Sequence, residues 1–243
     1  MNIQKKITYC MATALLVVGS TAAQAVPIIY MGEDLGLGES TRLTSHPNAD
    51  AAQSSFLSHL TGVGIEGFEG FANGAGAPLA VSFGAAGTAT LNGTGSVNEV
   101  ISGTNGFGRY PVHGNKYWDA SGVFSLDFSA PVASFGFFGI DIGDFNGQVT
   151  ATTVSGTSTL YNIGNGTNIA GGSVLYWGLI DVHDPFTSLT FGNTAGSVDF
   201  FGFDDFTIGS VAQTDETIPE PATLALMALG LAGIGFAKRK TSQ

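Results

Sequence analysis

Cysteine is nearly absent from this chain. Its single thiol, Cys10, sits in an amino-terminal apolar stretch expected to be removed. The remaining chain therefore has no disulfide framework, no thiol nucleophile and no cysteine-based zinc site. Basic residues are scarce too. Between residues 26 and 218 only Arg42, Arg109 and Lys116 face 18 acidic residues, a formal charge of −15. Such a surface repels nucleic acid and anionic headgroups, and suits neutral glycans, cations or solubility outside the cell. Metal and nucleophile motifs are missing. His46, His59, His113 and His183 are dispersed, none at H-E-x-x-H spacing, and no G-x-S-x-G accompanies them. The stretch Gly62-Val63-Gly64-Ile65-Glu66-Gly67 spells G-x-G-x-x-G, but it lacks a βαβ context in a chain with 36 glycines. Asp144-Phe145-Asn146-Gly147 has a fragment of a calcium loop without the glutamate at position 12, and reads as a turn.

The two ends carry what the middle lacks. Lys5 and Lys6 precede an apolar region over 7–19, and Ala23-Gln24-Ala25 is an A-x-A cleavage site. Residues 1–25 thus read as an export leader, cut after Ala25 by signal peptidase once the Sec machinery has engaged it. At the other end, Pro219-Glu220-Pro221 is followed by 16 uncharged residues, 222–237, and then Lys238-Arg239-Lys240. The prolines keep the motif extended. As a helix the apolar run spans roughly 24 Å, near the lower edge of a membrane crossing. The basic triplet would hold the terminus on the cytoplasmic side.

The phrase "IPEPATLALMALGLAGIGFAKRK" resembles the PEP-CTERM sorting signal of Gram-negative bacteria, with motif, span and basic cluster in order. The resemblance implies a transient C-terminal anchor, processing near Pro219, Glu220 and Pro221 by a membrane-embedded exosortase, and delivery to the cell surface or exopolysaccharide matrix. A plain membrane anchor is the simpler alternative for this tail.

Between the signals the chain reads as an all-β, jelly-roll-like sandwich with one short N-terminal helix. Phe124, Leu126 and Phe128 alternate with Ser125 and Asp127, the period of a half-buried strand. Further strands are expected over 79–83, 88–91, 96–101, 132–141, 148–154, 158–163, 173–180, 188–191 and 198–208, with Asn-Gly turns at 92–93, 146–147 and 165–166. Residues 49–60 repeat Ala52, Phe56 and Leu60 at helical spacing. The expected division is a lead over 26–48 with a first strand at 26–31, a sandwich over 49–211, a linker over 212–218 and the sorting signal over 219–241. Phrases such as "FEGF", "VASFGFFGIDIGD" and "FFGFDDFTIG" resemble extracellular domains of other PEP-CTERM proteins, which implies a β-sandwich and no assigned activity.

Two constellations suggest binding. "GFEGF" near the start and "GFDDF" near the end resemble jelly-roll carbohydrate-binding modules, in which first and last strands lie side by side. That likeness implies a structural Ca²⁺ held by Glu69 with Asp204 or Asp205; solvated or turn-bonded carboxylates are the alternative. Parity does not decide which aspartate points outward, because phenylalanines occupy both alternations of 198–208. The second constellation is "RYPVHGNKYWDASG", a polar loop in which Tyr117 and Trp118 would form a sugar-stacking platform. Equally, Trp118 would anchor that loop to the core. The expectation is an exported, non-catalytic protein of the surface or matrix that contacts extracellular polysaccharide; a purely structural or adhesive matrix protein is the alternative, and a glycan hydrolase the third.

Overall fold

The computed structural model describes residues 26–142, 147–164, 171–193 and 200–215. The leader with Ala23 and Ala25, the Asn-Gly turns at 146–147 and 165–166, and the whole sorting tail lie at least partly outside the described residues. Among the described residues no helix is long and apolar enough to cross a membrane.

Among the same residues, thirteen strands build two facing sheets. The first sheet runs β1 (Ile28–Asp34), β11 (Val174–Ile180), β8 (Ser134–Ile140), β13 (Phe201–Gly209), β6 (Lys116–Ala120) and β5 (Ser96–Glu99), with β2 (Gly64–Glu66) also on β13. The second runs β10 (Ser158–Asn162), β9 (Gly147–Thr153), β12 (Phe186–Asn193), β7 (Phe124–Val132), β4 (Thr88–Gly93) and β3 (Leu79–Ser82). Their pairings are antiparallel. The expected sandwich is present; β2 brings the early "GIE" against the last strand, while the first strand, β1, lies on β11.

The inner faces are filled by aromatic rings. Phe124 and Phe191 stack with centroids 4.4 Å apart, and Phe203, Phe137 and Phe135 meet Phe191 edge-on. Each such ring removes a large apolar area from water, the main stabilising term in a chain without disulfides.

The sheets differ on their outer faces. On the second sheet burial alternates along the central strand β9, where Val149 and Ala151 are buried while Gln148, Thr150 and Thr152 are half-exposed. On the first, β8 and β11 are buried at every position. A helix, α1 (Pro47–Leu57), covers them, and its Phe56 sits on Gly178, where an added Cβ would lie 2.7 Å from the ring. Proline opens α1 because the first turn needs no amide donor. Its exposed amides at Asn48 and Ala49 are capped by the Asp34 carboxylate from the end of β1, at 3.0 and 2.9 Å.

Two boundaries are corrected. β1 belongs to the first sheet, so the stretch expected as a lead is part of the sandwich. Residues 116–120, expected within a loop, form β6 between β5 and β13.

Candidate functional site

The last strand decides the geometry. In β13, Phe201, Phe203, Phe206 and Ile208 all enter the core. Strict alternation forbids that, since Phe203 and Phe206 are of opposite parity. The extra residue is absorbed by a bulge: the register against β8 shifts between Asp204 and Thr207, and Asp205 takes φ +49°. The bulge falls where β13 changes partner from β6 to β2. It turns both aspartates toward the loop before β6.

That loop is tied down by carboxylates. Asp204, fully buried, accepts the amides of Val112 at 2.8 Å, His113 at 3.0 Å and Asp205 at 2.8 Å. Asp205 Oδ2 lies 2.6 Å from His113 Nδ1. Glu69 Oε1 accepts the amides of Asn115 and Lys116, each at 2.7 Å, and Lys116 Nζ returns donors to the carbonyls of Glu69 and Phe71. Burial, then the neighbouring charge of Asp205, pushes Asp204 well above the usual carboxylate range, and the amide donors oppose this. The Asp205 hydrogen bond raises the His113 imidazole. Gly67 has no side chain where a Cβ would stand 3.0 Å from Asp205 Oδ1.

The carboxylates expected to hold calcium fasten this loop. Glu69, Asp204 and Asp205 share one neighbourhood, in which Asp204 and Glu69 accept main-chain donors of residues 112–116 and Asp205 bonds the His113 imidazole. Among the described residues no three His, Cys, Asp or Glu side chains group to hold a metal.

The sugar platform is corrected as well. Trp118 is fully buried, stacked on Phe68 and seated over Gly95, where an added Cβ would collide with the indole. Tyr117 is fully buried on the other face, its hydroxyl accepting from Asn105 Nδ2 at 3.2 Å. Neither ring offers a face to a ligand. Tyr110, Tyr176 and Trp177 are buried too.

The exposed aromatic rings lie elsewhere on the same loop region. Phe107 is 64% exposed and Phe200 44% exposed. Both rings flank the Arg109 guanidinium, with Cζ 5.8 Å from one centroid and 5.1 Å from the other. Arg109 is itself buried. Its Nε donates to Asp119 Oδ1 at 2.9 Å, and its Nη1 stands 3.9 Å from Asp141 Oδ2. Burial raises Asp119, and the charge of Arg109 opposes the shift. The result is a notch in which one buried cation, matched by carboxylates, holds two phenylalanines at the surface. Arg109 stands out in the sequence as one of only three basic residues between 26 and 218. Phe107 and Phe200 do not, because nothing in their local pattern separates them from the other 16 phenylalanines.

Residues 217–240 match the family described as the PEP-CTERM protein-sorting motif. The chain carries an exosortase sorting signal. It covers the tail and says nothing of the sandwich, but it indicates exosortase as a partner and points to an exported, surface-associated location. No curated protein matches the chain. Among solved structures, the K2 cleaved adhesin domain of Lys-gingipain is 15% identical with a TM-score of 0.41, over 60% of this chain and 97% of that one. The CBM22-1 xylan-binding domain from Paenibacillus barcinonensis Xyn10C is 17% identical with a TM-score of 0.33, over 58% and 98%. A point mutant of CBM29-2, a family 29 carbohydrate-binding module, is 17% identical with a TM-score of 0.30, over 54% and 99%. Superpositions this partial do not carry the ligands of those domains onto this chain.

Proposed function

We propose that this is an exported, exosortase-processed protein of the cell surface or exopolysaccharide matrix, without catalysis, which holds neutral extracellular polysaccharide at the Phe107–Arg109–Phe200 notch. In this reading the leader is cut after Ala25, and the tail then anchors the precursor in the membrane with Lys238, Arg239 and Lys240 as its stop. Exosortase acts at Pro219, Glu220 and Pro221 and releases the sandwich to the surface.

The observation that carries the glycan reading is the notch itself. Large apolar side chains held exposed are informative where most others are buried. Sugar rings present apolar C–H faces that stack on such rings. The buried Arg109 offsets the charge of Asp119, its nearest carboxylate, and leaves no free cation to attract a charged ligand, which favours an uncharged polymer.

The test is retention of the exported protein on insoluble neutral glycans and on the host's exopolysaccharide. Phe107→Ala and Phe200→Ala should each lower retention with the melting temperature nearly unchanged, since both rings are exposed. Retention indifferent to both substitutions would end this assignment. The burial of Tyr117 and Trp118 favours a second reading, a structural or adhesive matrix protein with no glycan contact; a folded protein retained on no polymer would support it. Delivery is tested separately. Alanines at 219–221 should trap an unprocessed, membrane-bound precursor, and unchanged release would reduce the tail to an anchor.

A further inference from the structure

Phe107 sits in the notch on a segment with little of its own to fix it. Its ring is exposed, and the glycines on either side, Gly106 and Gly108, take φ +91° and +80°. Glycine leaves the chain more conformational freedom than any other residue. A ring on such a segment binds well only if the segment is ordered before the ligand arrives, because ordering it on binding costs affinity. The ordering comes from Asn105. Residues 105–109 form a closed loop, in which the Asn105 amide donates to the Arg109 carbonyl at 2.8 Å. Inside it, Asn105 Oδ1 accepts the amides of Phe107 at 3.0 Å and Arg109 at 3.2 Å. Asn105 Nδ2 donates outward to the Tyr117 hydroxyl at 3.2 Å. The orientation is forced, since a reversed carboxamide would set its NH₂ against two N–H donors. Tyr117 is fully buried on β6, and its hydroxyl also bonds Asp119, which accepts Arg109 Nε. The bonds close a circuit from Asn105 to Tyr117, to Asp119, to Arg109 and back to Asn105. Two of its members stand on β6, so the circuit fastens both ends of the Phe107 segment to the sheet.

We propose that Asn105 is a positioning residue of the notch: it holds Phe107 beside Arg109 in the arrangement that receives a neutral sugar chain, and does so without touching that chain. The proposal rests on the glycan reading of the notch. Asn105 is half-buried, and its oxygen is already committed to two amides. Its effect on binding therefore passes through Phe107. An ordinary turn residue would act on stability alone, and its removal would have the same effect whether or not Phe107 were present. The two roles separate in a double-mutant cycle.

The test uses the exported protein on whichever polymer, among the insoluble neutral glycans and the host's exopolysaccharide, retains the wild type best. Asn105→Ala should weaken retention about three- to tenfold, the cost of ordering the loop on binding. In a Phe107→Ala background the same substitution should change retention little, since no ring is left to position. Limited trypsin digestion reads the loop without any glycan. Arg109 is one of three basic residues between 26 and 218, and it is buried. Cleavage after Arg109 should be about tenfold faster in Asn105→Ala, because local opening exposes it. Circular dichroism checks that the variant folds. Should it not, Tyr117→Phe takes its place: it keeps the buried ring, removes the hydroxyl that anchors Asn105, and should move both readings the same way. Phe107→Ala without effect on retention would overturn the glycan reading and this role with it. An effective Phe107→Ala beside Asn105→Ala at wild-type retention would overturn this role alone. So would an equal loss from Asn105→Ala in both backgrounds, or an unchanged rate of cleavage after Arg109.

Discussion

The second sheet buries one face and wets the other, whereas the central strands of the first, β11, β8 and β13, are buried on both. On the second, outward residues form cross-strand rows: Thr90, Asp127, Ser188, Thr152 and Ser158 in one, Asn92, Ser125, Thr190, Thr150 and Leu160 in the next. Some of these polar groups bond one another, as Asn92 does Asp127 and Thr152 does Ser158, and the rest face solvent. On the first, α1 and the loop before β6 lie over the strands, and both bring main-chain amides into dry surroundings. Buried amides must find acceptors. Asp34, Asp204 and Glu69 supply them. The carboxylates that look like ligand sites are therefore the consequence of covering a sheet with irregular chain, and the exposed aromatic rings appear at the rim of that cover.

The strongest way to break the contrast is to remove a side chain that belongs to both cover and core. Trp118→Ala deletes a fully buried indole from β6 and should cost about 3–5 kcal/mol of unfolding free energy, as buried aromatic truncations do. Denaturant titration measures it. A variant of wild-type stability would return Trp118 to the surface and revive it as a platform.

Next comes the fastening. Asp204→Ala leaves the amides of Val112, His113 and Asp205 without their acceptor. Each unsatisfied buried donor costs about 1–3 kcal/mol, less where water enters, so the expected loss is about 3 kcal/mol. Amide exchange should accelerate at Val112 and His113 in particular. A loss confined to global stability, with exchange at those two amides unchanged, would place the role of Asp204 elsewhere.

How far this was legible follows the same division. The alternation in Phe124–Phe128 exposed a half-buried strand directly, because one face meets water. Strands buried on both faces show no alternation. The run through "VASFGFFGI" marks β8 as a strand but does not tell which residues meet the core. In β13 parity fails outright, since the bulge at Asp205 costs one residue of register and leaves no local signature beyond the repeated aspartate. The sequence around Lys116–Ala120 looks polar and loop-like because Lys116 and Asp119 pair with distant groups, Phe71 and Arg109. The start of α1 was displaced for a related reason: its cap is Asp34, fourteen residues upstream on another element. Local chemistry predicts what faces water, and misses what is compensated by tertiary partners.

A smaller effect should come from pH. His113 is raised by its hydrogen bond to Asp205, with lesser contributions from the charges of Asp205 and Asp50; desolvation and Arg42 oppose it. A group raised on folding lends its stability in full below its unfolded value of about 6.5, and loses it as pH climbs through the folded value. The side chain is 54% exposed, so solvent screens the pair and the change is modest. The melting temperature of the wild type should therefore fall on raising pH from about 6.5, and His113→Ala should flatten that decline. Parallel curves would detach His113 from the fastening of the loop.

The smallest expected effect sharpens the comparison best. Thr150 and Thr190 are cross-strand neighbours on the wet face of the second sheet, half-exposed and uncharged. Replacing either by valine keeps the β-branched shape and the strand preference, and removes one hydroxyl that water already serves. Stability should shift by no more than about 0.5 kcal/mol. Retention on polysaccharide should not change either, because the proposed contact lies at the notch. If instead Thr150→Val and Thr190→Val weakened retention while Phe107→Ala did not, the rows of hydroxyls would be the binding surface. The roles of the two sheets would then be exchanged: the covered sheet would serve as scaffold, and the plain alternating one would meet the polymer.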